Sequence, residues 1–393
     1  MDQDIVRFSF PTTVDFGPGA VNNLPECLKE VGISKPLLVT DPVIAKLDFF
    51  DSISKVLKNA SVSFVVFDMV HPNPLIEDID DAVRLYKAEN CDGIIGLGGG
   101  SPIDAAKVVA VLAVNPAPLT QYDIMAPKKM DIKGLLPPII AIPTTAGTGS
   151  EVGRCSVITN TAKNAKFLVC NPQMLPARAI LDPLLTVALP PMLTAGTGMD
   201  ALTHNIEALV VDTFHPMCDA IALKGIELVA ENLEKAVKNP TDIKARGNMM
   251  VAAMMGAVAF QKDLGAAHSL AHPLSTLCDI PHGMANAICL PYVMRFNAEV
   301  SANLYAKVAR CFRIDTSNLS DMQAAEKAIQ AVIDLNTRIG IPPTLADAGV
   351  TQDQLENLAK KAFDDPSHCS NPRTCTQADL LMLYQQAFKG QLS

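Results

Sequence analysis

The sequence predicts two structural classes in one chain. Residues 1–185 read as an α/β domain built on a mostly parallel sheet, and residues 186–393 as an all-helical domain. Three observations carry this. Short apolar runs alternate with amphipathic stretches up to about residue 185. Each run ends in a small, polar or glycine-rich loop. Beyond Pro183, Pro190 and Pro191 the β-type runs thin out and helical periodicity takes over. At 393 residues the chain is also too long for one ordinary core.

Pro36-Leu37-Leu38-Val39-Thr40 reads as a strand ending at Asp41, with a helix from Val43 to Leu57 after it. Ser63-Phe64-Val65-Val66-Phe67 is a second strand. Asp78 to Glu89 follows as a helix with Ile79, Val83 and Tyr86 on one face. Gly93-Ile94-Ile95-Gly96-Leu97 runs into Gly98-Gly99-Gly100-Ser101-Pro102, and Ile103 to Val114 reads as the next helix. Pro138-Ile139-Ile140-Ala141-Ile142-Pro143 is a fourth strand, followed by Thr144-Thr145-Ala146-Gly147-Thr148-Gly149-Ser150. Strands without polar alternation, separated by helices, imply a parallel sheet covered on both faces. Such sheets bind ligands at the carboxyl ends of their strands. Asp41, Gly98 to Ser101 and Thr144 to Thr148 fall at such ends. In the second half the clearest helices are 192–212, 217–237, 242–262 and 324–339, with 351–362 and 377–388 as further candidates.

Composition excludes several classes. Hydrophobic residues make up 49% and charged residues 19%, as in a globular enzyme with a large core. A net charge of −9 argues against non-specific nucleic-acid binding. The longest apolar helical run, Met249 to Phe260, is too short to span a bilayer. The amino terminus, with Asp2, Asp4 and Arg7, has no apolar signal core. Ten cysteines are scattered without a CxxC, and Cys170, Cys289 and Cys311 lie inside apolar runs. They read as free thiols of a cytoplasmic protein.

Gly98-Gly99-Gly100-Ser101-Pro102 lets backbone N–H groups approach an anion at a helix start, as a diphosphate requires. It is not a full GxGxxG, because Gly96-x-Gly98-x-x-Ser101 ends in Ser; without a ligand it would be a tight strand–helix turn. The threonine loop reads as a second wall of a nucleotide site. Asp41 would accept from ribose hydroxyls and repel a 2′-phosphate, favouring NAD over NADP.

Five of the seven histidines fall between Thr194 and Asn286. Asp200 and His204 are four apart, so on a helix they share a face, and so do His268 and His272. His282 follows before a glycine. One carboxylate and several imidazoles suit a divalent metal such as iron or zinc. Any one such pair alone is more often an ordinary core or surface feature; three together point to a metal. No basic residue lies near Asp200 in sequence, so a metal is a plausible counter-charge for a buried carboxylate. With the phosphate-type loops in the first half and the metal candidates in the second, the active site is expected between the two domains.

Together these segments resemble the iron-dependent (group III) alcohol dehydrogenase family. The resemblance runs through Phe16-Gly17-Pro18-Gly19, Val39-Thr40-Asp41, Pro72-Asn73-Pro74, Gly98 to Asp104, Pro143 to Val152, Gly198 to His204, His268 to Leu274, Pro281-His282-Gly283 and Ser370-Asn371-Pro372-Arg373. It implies the dehydroquinate synthase-like fold, with a dinucleotide-binding domain and an all-α domain. It implies metal ligands at Asp200, His204, His268 and His282, and a further histidine near the nicotinamide at His272, the candidate for proton relay. It implies cofactor contacts from Asp41, Asn73, Gly99, Gly100, Ser101, Asp104, Thr144, Thr145, Thr148 and Lys166. The cofactors would be NAD(H) and one divalent ion, Fe2+ before Zn2+ or Mn2+. The assembly would be a homodimer or larger, and the partner a small alcohol or aldehyde, with no nucleic acid or membrane.

Ala259-Phe260-Gln261-Lys262-Asp263-Leu264-Gly265 looks more like the 4-hydroxybutyrate branch of that family. Lys262, and secondly Arg154, would then meet the anionic tail of a substrate such as succinic semialdehyde or sulfoacetaldehyde. The alternatives are a solvated Lys262 in a dehydrogenase of neutral short-chain alcohols or diols, a nucleotide-binding protein with a structural metal site, and a metal-free lyase.

Overall fold

The computed structural model describes residues 10, 12–163 and 165–392. The segment holding Asp2, Asp4 and Arg7, on which the absence of a signal core was read, lies outside them. The chain divides into two compact units. One holds the described residues of 11–145 and 149–188; the other holds those of 189–393 together with Ala146–Thr148.

The first unit runs β1 (Thr13–Phe16), α1 (Leu24–Val31), β2 (Pro36–Val39), α2 (Asp48–Asn59), β3 (Val65–Phe67), α3 (Ile76–Ala88), β4 (Gly93–Gly98), α4 (Gly100–Val114), β5 (Ile139–Pro143), β6 (Cys155–Asn160), β7 (Ala165–Cys170) and β8 (Arg178–Leu181). Six strands form one sheet in the order β1-β8-β5-β4-β2-β3, and every pairing is parallel. Strand side chains point alternately to the two faces. Leu37, Val39, Ile94 and Ile139 pack with Ile79, Val83 and Val108 of α3 and α4. Leu38, Ile95, Leu97, Ile140 and Ile142 pack with Leu24, Leu28, Ile53 and Leu57 of α1 and α2. Both faces are covered, so the strands read as unbroken apolar runs. β4 is central, and its carboxyl end opens directly into α4.

β6 and β7 form a separate antiparallel hairpin. It corrects one expectation. Cys155 and Cys170 are not free thiols: they stand opposite each other in the ladder, with Cα atoms 4.1 Å apart, and are joined by a disulfide. The other eight cysteines are free. Residues 15 apart in sequence become neighbours only through the hairpin register.

The second unit is all helix: α5 (Pro191–Val210), α6 (Pro216–Lys238), α7 (Ile243–Ala259), α8 (Ala266–Leu277), α9 (His282–Cys311), α10 (Asp321–Arg338), α11 (Leu355–Phe363) and α12 (Gln377–Lys389). From Gly198 to Val210 every residue of α5 is buried. A helix enclosed on all sides needs no polar stripe. Its polar residues Asp200, His204 and Glu207 must therefore find partners inside. No helix among the described residues is long and apolar enough to cross a membrane.

Candidate metal centre and nucleotide loops

Three helices of the second unit converge on one carboxylate. Asp200 and His204 lie one turn apart on α5, His268 on the first turn of α8, and His282 at the first position of α9. The Nε2 atoms of His282, His268 and His204 lie 3.4, 3.7 and 3.9 Å from Asp200 Oδ1. Asp200, His204 and His268 are buried and close enough together to hold one ion. α9 reaches in because Gly283 lacks a side chain: a Cβ there would lie 2.1 Å from Gly196 O of α5. The rings of His204 and His268 stack at 4.7 Å, and Phe260 closes the far edge of His204.

The electrostatics fit a cation. Asp200 has no lysine or arginine partner among the described residues. Burial would raise its pKa, but the three imidazoles hold its carboxyl well below the usual range. Burial pushes His204 down to about 4, against the pull of Asp200, so its ring offers a lone pair. Burial alone would lower His268, yet Glu207 and Asp200 raise it; a metal must displace that proton. A carboxylate and three imidazoles converging on one point are a donor set for Fe2+, Zn2+ or Mn2+.

Three further residues complete the site, and none was singled out from sequence. Glu207, buried on α5, accepts from His268 Nδ1 at 2.6 Å and from Ala267 N at 2.7 Å. It lies seven residues after Asp200 and three after His204, on the same helical stripe, so spacing could have found it. Asn286, one turn after His282, places Nδ2 2.8 Å from Asp200 Oδ1, and 3.3 and 3.2 Å from the Nε2 atoms of His268 and His282. Its buried Oδ1 has no partner among the described residues. Asp365, between α11 and α12, accepts from His272 Nδ1 at 2.7 Å; no local sequence signal marks that pairing. The ring of His272 stacks on His282 at 5.2 Å.

The first unit gathers the nucleotide candidates at the carboxyl ends of β2, β4 and β5. Gly98 has φ +146°, and a Cβ there would press Pro102 at 2.7 Å. Gly99 caps α4 without a side-chain hydrogen bond, which leaves the first-turn N–H groups for an anion. Thr144 N donates to Gly98 O, and Thr145 Cγ2 lies 3.4 Å from where a Gly99 Cβ would stand. Ser101 Oγ donates to Pro72 O, next to exposed Asn73 in the chain. Asp41 Oδ1 accepts from the N–H groups of Val43 and Ile44.

Two candidates, Asp104 and Lys166, influence each other within the first unit. Asp104 accepts from Ser150 and from Val157 N, and pairs with buried Lys107 at 3.6 Å. It braces the loops instead of offering a free carboxylate. Lys166 on β7 has its pKa lowered by burial, with Asp104 partly restoring it. Thr148 belongs to the Ala146–Thr148 segment that groups with the helical unit, where a Cβ on Gly147 would meet Thr197 Cβ at 2.8 Å.

Lys262 departs from the expectation of an anion anchor. It is 4% exposed, with Nζ 2.5 Å from Asp219 Oδ1 and 3.5 Å from Leu209 O. Lys262 is the buried residue of the 3-10 turn Phe260–Lys262, and a buried ammonium needs such a partner. Arg154 is exposed on the first unit.

Comparison with known proteins bears on both units. Residues 11–183 match the model of iron-containing alcohol dehydrogenase. Residues 194–388 match the carboxy-terminal model of the Fe-containing alcohol dehydrogenase family. The chain is 39% identical over 391 residues to 1,3-propanediol dehydrogenase of Citrobacter freundii, covering 99% of this chain and 100% of that one. It is 37% identical over 384 residues to 4-hydroxybutyrate dehydrogenase of Cupriavidus necator, covering 95% and 97%. The crystal structure of a 1,3-propanediol oxidoreductase superposes with a TM-score of 0.94 at 38% identity, covering 98% and 100%.

Proposed function

The chain belongs to the iron-containing alcohol dehydrogenase family, and from that premise we propose that it uses NAD(H) and one divalent metal ion to interconvert a short, neutral primary alcohol or diol and its aldehyde. The relatives include both a diol and a hydroxy-acid enzyme by name, so similarity does not choose between substrates. The state of Lys262 carries the choice. Its charge is spent on Asp219, so the residue that would have met an anionic tail is already paired.

The mechanism assigns each residue a task. Asp200, His204, His268 and His282 would hold the metal, and Glu207 keeps His268 Nε2 turned toward it. Gly99, Gly100 and the threonine loop would cradle the cofactor diphosphate, with Asp41 toward the ribose hydroxyls. When bound, the metal supplies Lewis acidity toward the substrate oxygen, and the nicotinamide carries the hydride. Phe260 packs edge-on against the His204 ring and shields that side of the donor cluster. His272 relays the proton of the hydroxyl.

The test is NADH oxidation by iron-loaded protein, purified without oxygen, with butanal and succinic semialdehyde as length-matched substrates. We expect butanal to be reduced at least as well as the acid. A strong preference for succinic semialdehyde would restore the anionic reading and direct attention to Arg154. NADH that stays unoxidised with either aldehyde would sink the dehydrogenase reading for both.

A further inference from the structure

His268 and His272 are one turn apart on α8, and each meets a carboxylate from a distant element through Nδ1. Glu207 faces His268 at 2.6 Å, and Asp365 faces His272 at 2.7 Å. The outcomes differ. Nε2 of His268 lies 3.7 Å from Asp200 Oδ1 and that of His282 3.4 Å, whereas the carboxylate that His272 meets among the described residues is Asp365 and not Asp200. Asp365 therefore serves something other than metal ligation.

The surroundings of Asp365 fix which atom carries the proton. Its Oδ1 accepts from Ser269 Oγ and from Ser367 N, both at 2.9 Å. Ser269 Oγ in turn accepts from His368 N at 2.8 Å, which commits the serine hydroxyl as donor to Asp365. Ringed by donors, the carboxylate can only accept, and its Oδ2 requires a hydrogen on His272 Nδ1. Nε2 is then left with a lone pair. Stacking on His282, with ring planes 14° apart, fixes the ring plane. His272 keeps some solvent access, with 23% of its side chain exposed.

We propose that Asp365 is a positioning residue for proton transfer, holding His272 as the Nδ1–H tautomer so that Nε2 is the atom that exchanges the proton with the substrate oxygen. This rests on the reading of His272 as the proton relay. In alcohol oxidation the O–H bond breaks and its proton passes to Nε2. The hydride leaves the carbinol carbon for the nicotinamide, and the C=O bond forms. Asp365 keeps its own charge and takes no proton, as in other carboxylate–histidine pairs.

Asp365→Asn separates this role from a structural one. The amide oxygen can still accept from Ser269 and Ser367, but the amide N–H groups now face His272 Nδ1 and drive its hydrogen to Nε2. We expect kcat to fall roughly a hundredfold, with metal content and KM for NADH unchanged. In zinc-loaded protein labelled with 15N-histidine, the His272 signal, assigned by its loss in His272→Gln, should change from Nδ1–H to Nε2–H. The double variant His272→Ala/Asp365→Asn should be no slower than His272→Ala alone.

Unchanged kcat in Asp365→Asn, or additive losses in the double variant, would overturn the inference. So would an Nε2–H signal for His272 in the unaltered protein, a measurement that does not depend on any variant folding. Full activity of His272→Ala would instead remove the relay reading on which the inference stands.

Discussion

Glu207 illustrates what a single side chain can do at depth. It is 2% exposed and spends both oxygens on α8, one on His268 Nδ1 and one on Ala267 N. A carboxylate behind a ligand histidine fixes its tautomer and strengthens it as a donor. Glu207→Gln keeps the volume and can still accept from Ala267, but it removes the charge. Titration of the metal-free protein with Fe2+ or Zn2+ against a competing chelator should show affinity weakened roughly ten- to a hundredfold. Unchanged affinity would reduce Glu207 to a packing residue. Glu151, buried in the first unit, makes a different prediction. Burial lifts its pKa from 4.5 to about 7, against the pull of a backbone hydrogen bond and of Lys107. Between those values the folded chain holds a proton that the unfolded chain has released, so stability falls as pH rises through that window. Glu151→Gln does not titrate. Its melting temperature relative to the parent should therefore rise from pH 5 to pH 8, a gain on the order of 2 kcal/mol. A difference that stays flat across the window would count against the raised pKa.

At the scale of elements, legibility followed burial. β2, β4 and β5 are enclosed on both faces and read at once as apolar runs. The β6–β7 hairpin did not, because its strands alternate buried and half-exposed residues and carry Asn160, Lys166 and Thr159 among the apolar ones. The disulfide was hidden with it. Asp200, His204, His268 and His272 were legible because helical spacing puts each pair on one face. The anchors were harder: Asp365 lies 93 residues from His272, and Asp219 lies 43 from Lys262. No local pattern announces a pair that only tertiary packing creates, and the Asp219 partner of Lys262 was out of sight for that reason. The hairpin itself can be checked. Protein denatured without reductant should titrate eight thiols, and all ten after reduction. Ten thiols in aerobically prepared, unreduced protein would show that Cys155 and Cys170 do not pair in solution.

For the molecule as a whole, the proposed metal donors link elements that are far apart in the chain. Asp200 and His204 come from α5, His268 from α8 and His282 from α9. The buried Asp200 is met by the Asn286 amide and by three imidazoles, with no lysine or arginine beside it among the described residues. An ion that binds only the folded chain stabilises it by mass action, by about 2.7 kcal/mol at a free concentration of about a hundred times Kd. Stripping the metal with chelator should therefore lower the melting temperature, and restoring it should reverse the loss. The effect should also be local. Hydrogen exchange should quicken in peptides from α5, α8 and α9 when the metal is removed. Peptides from β2, β4 and β5 carry none of the donors and should keep their rates. If exchange stays unchanged in the three helices while the metal binds stoichiometrically, then Glu207, Asn286 and the close contact at Gly283 already hold the site in its final form. Metal binding would then add affinity without ordering. If exchange quickens there, the four donors act as a clasp, and the ion is part of what folds the helical unit.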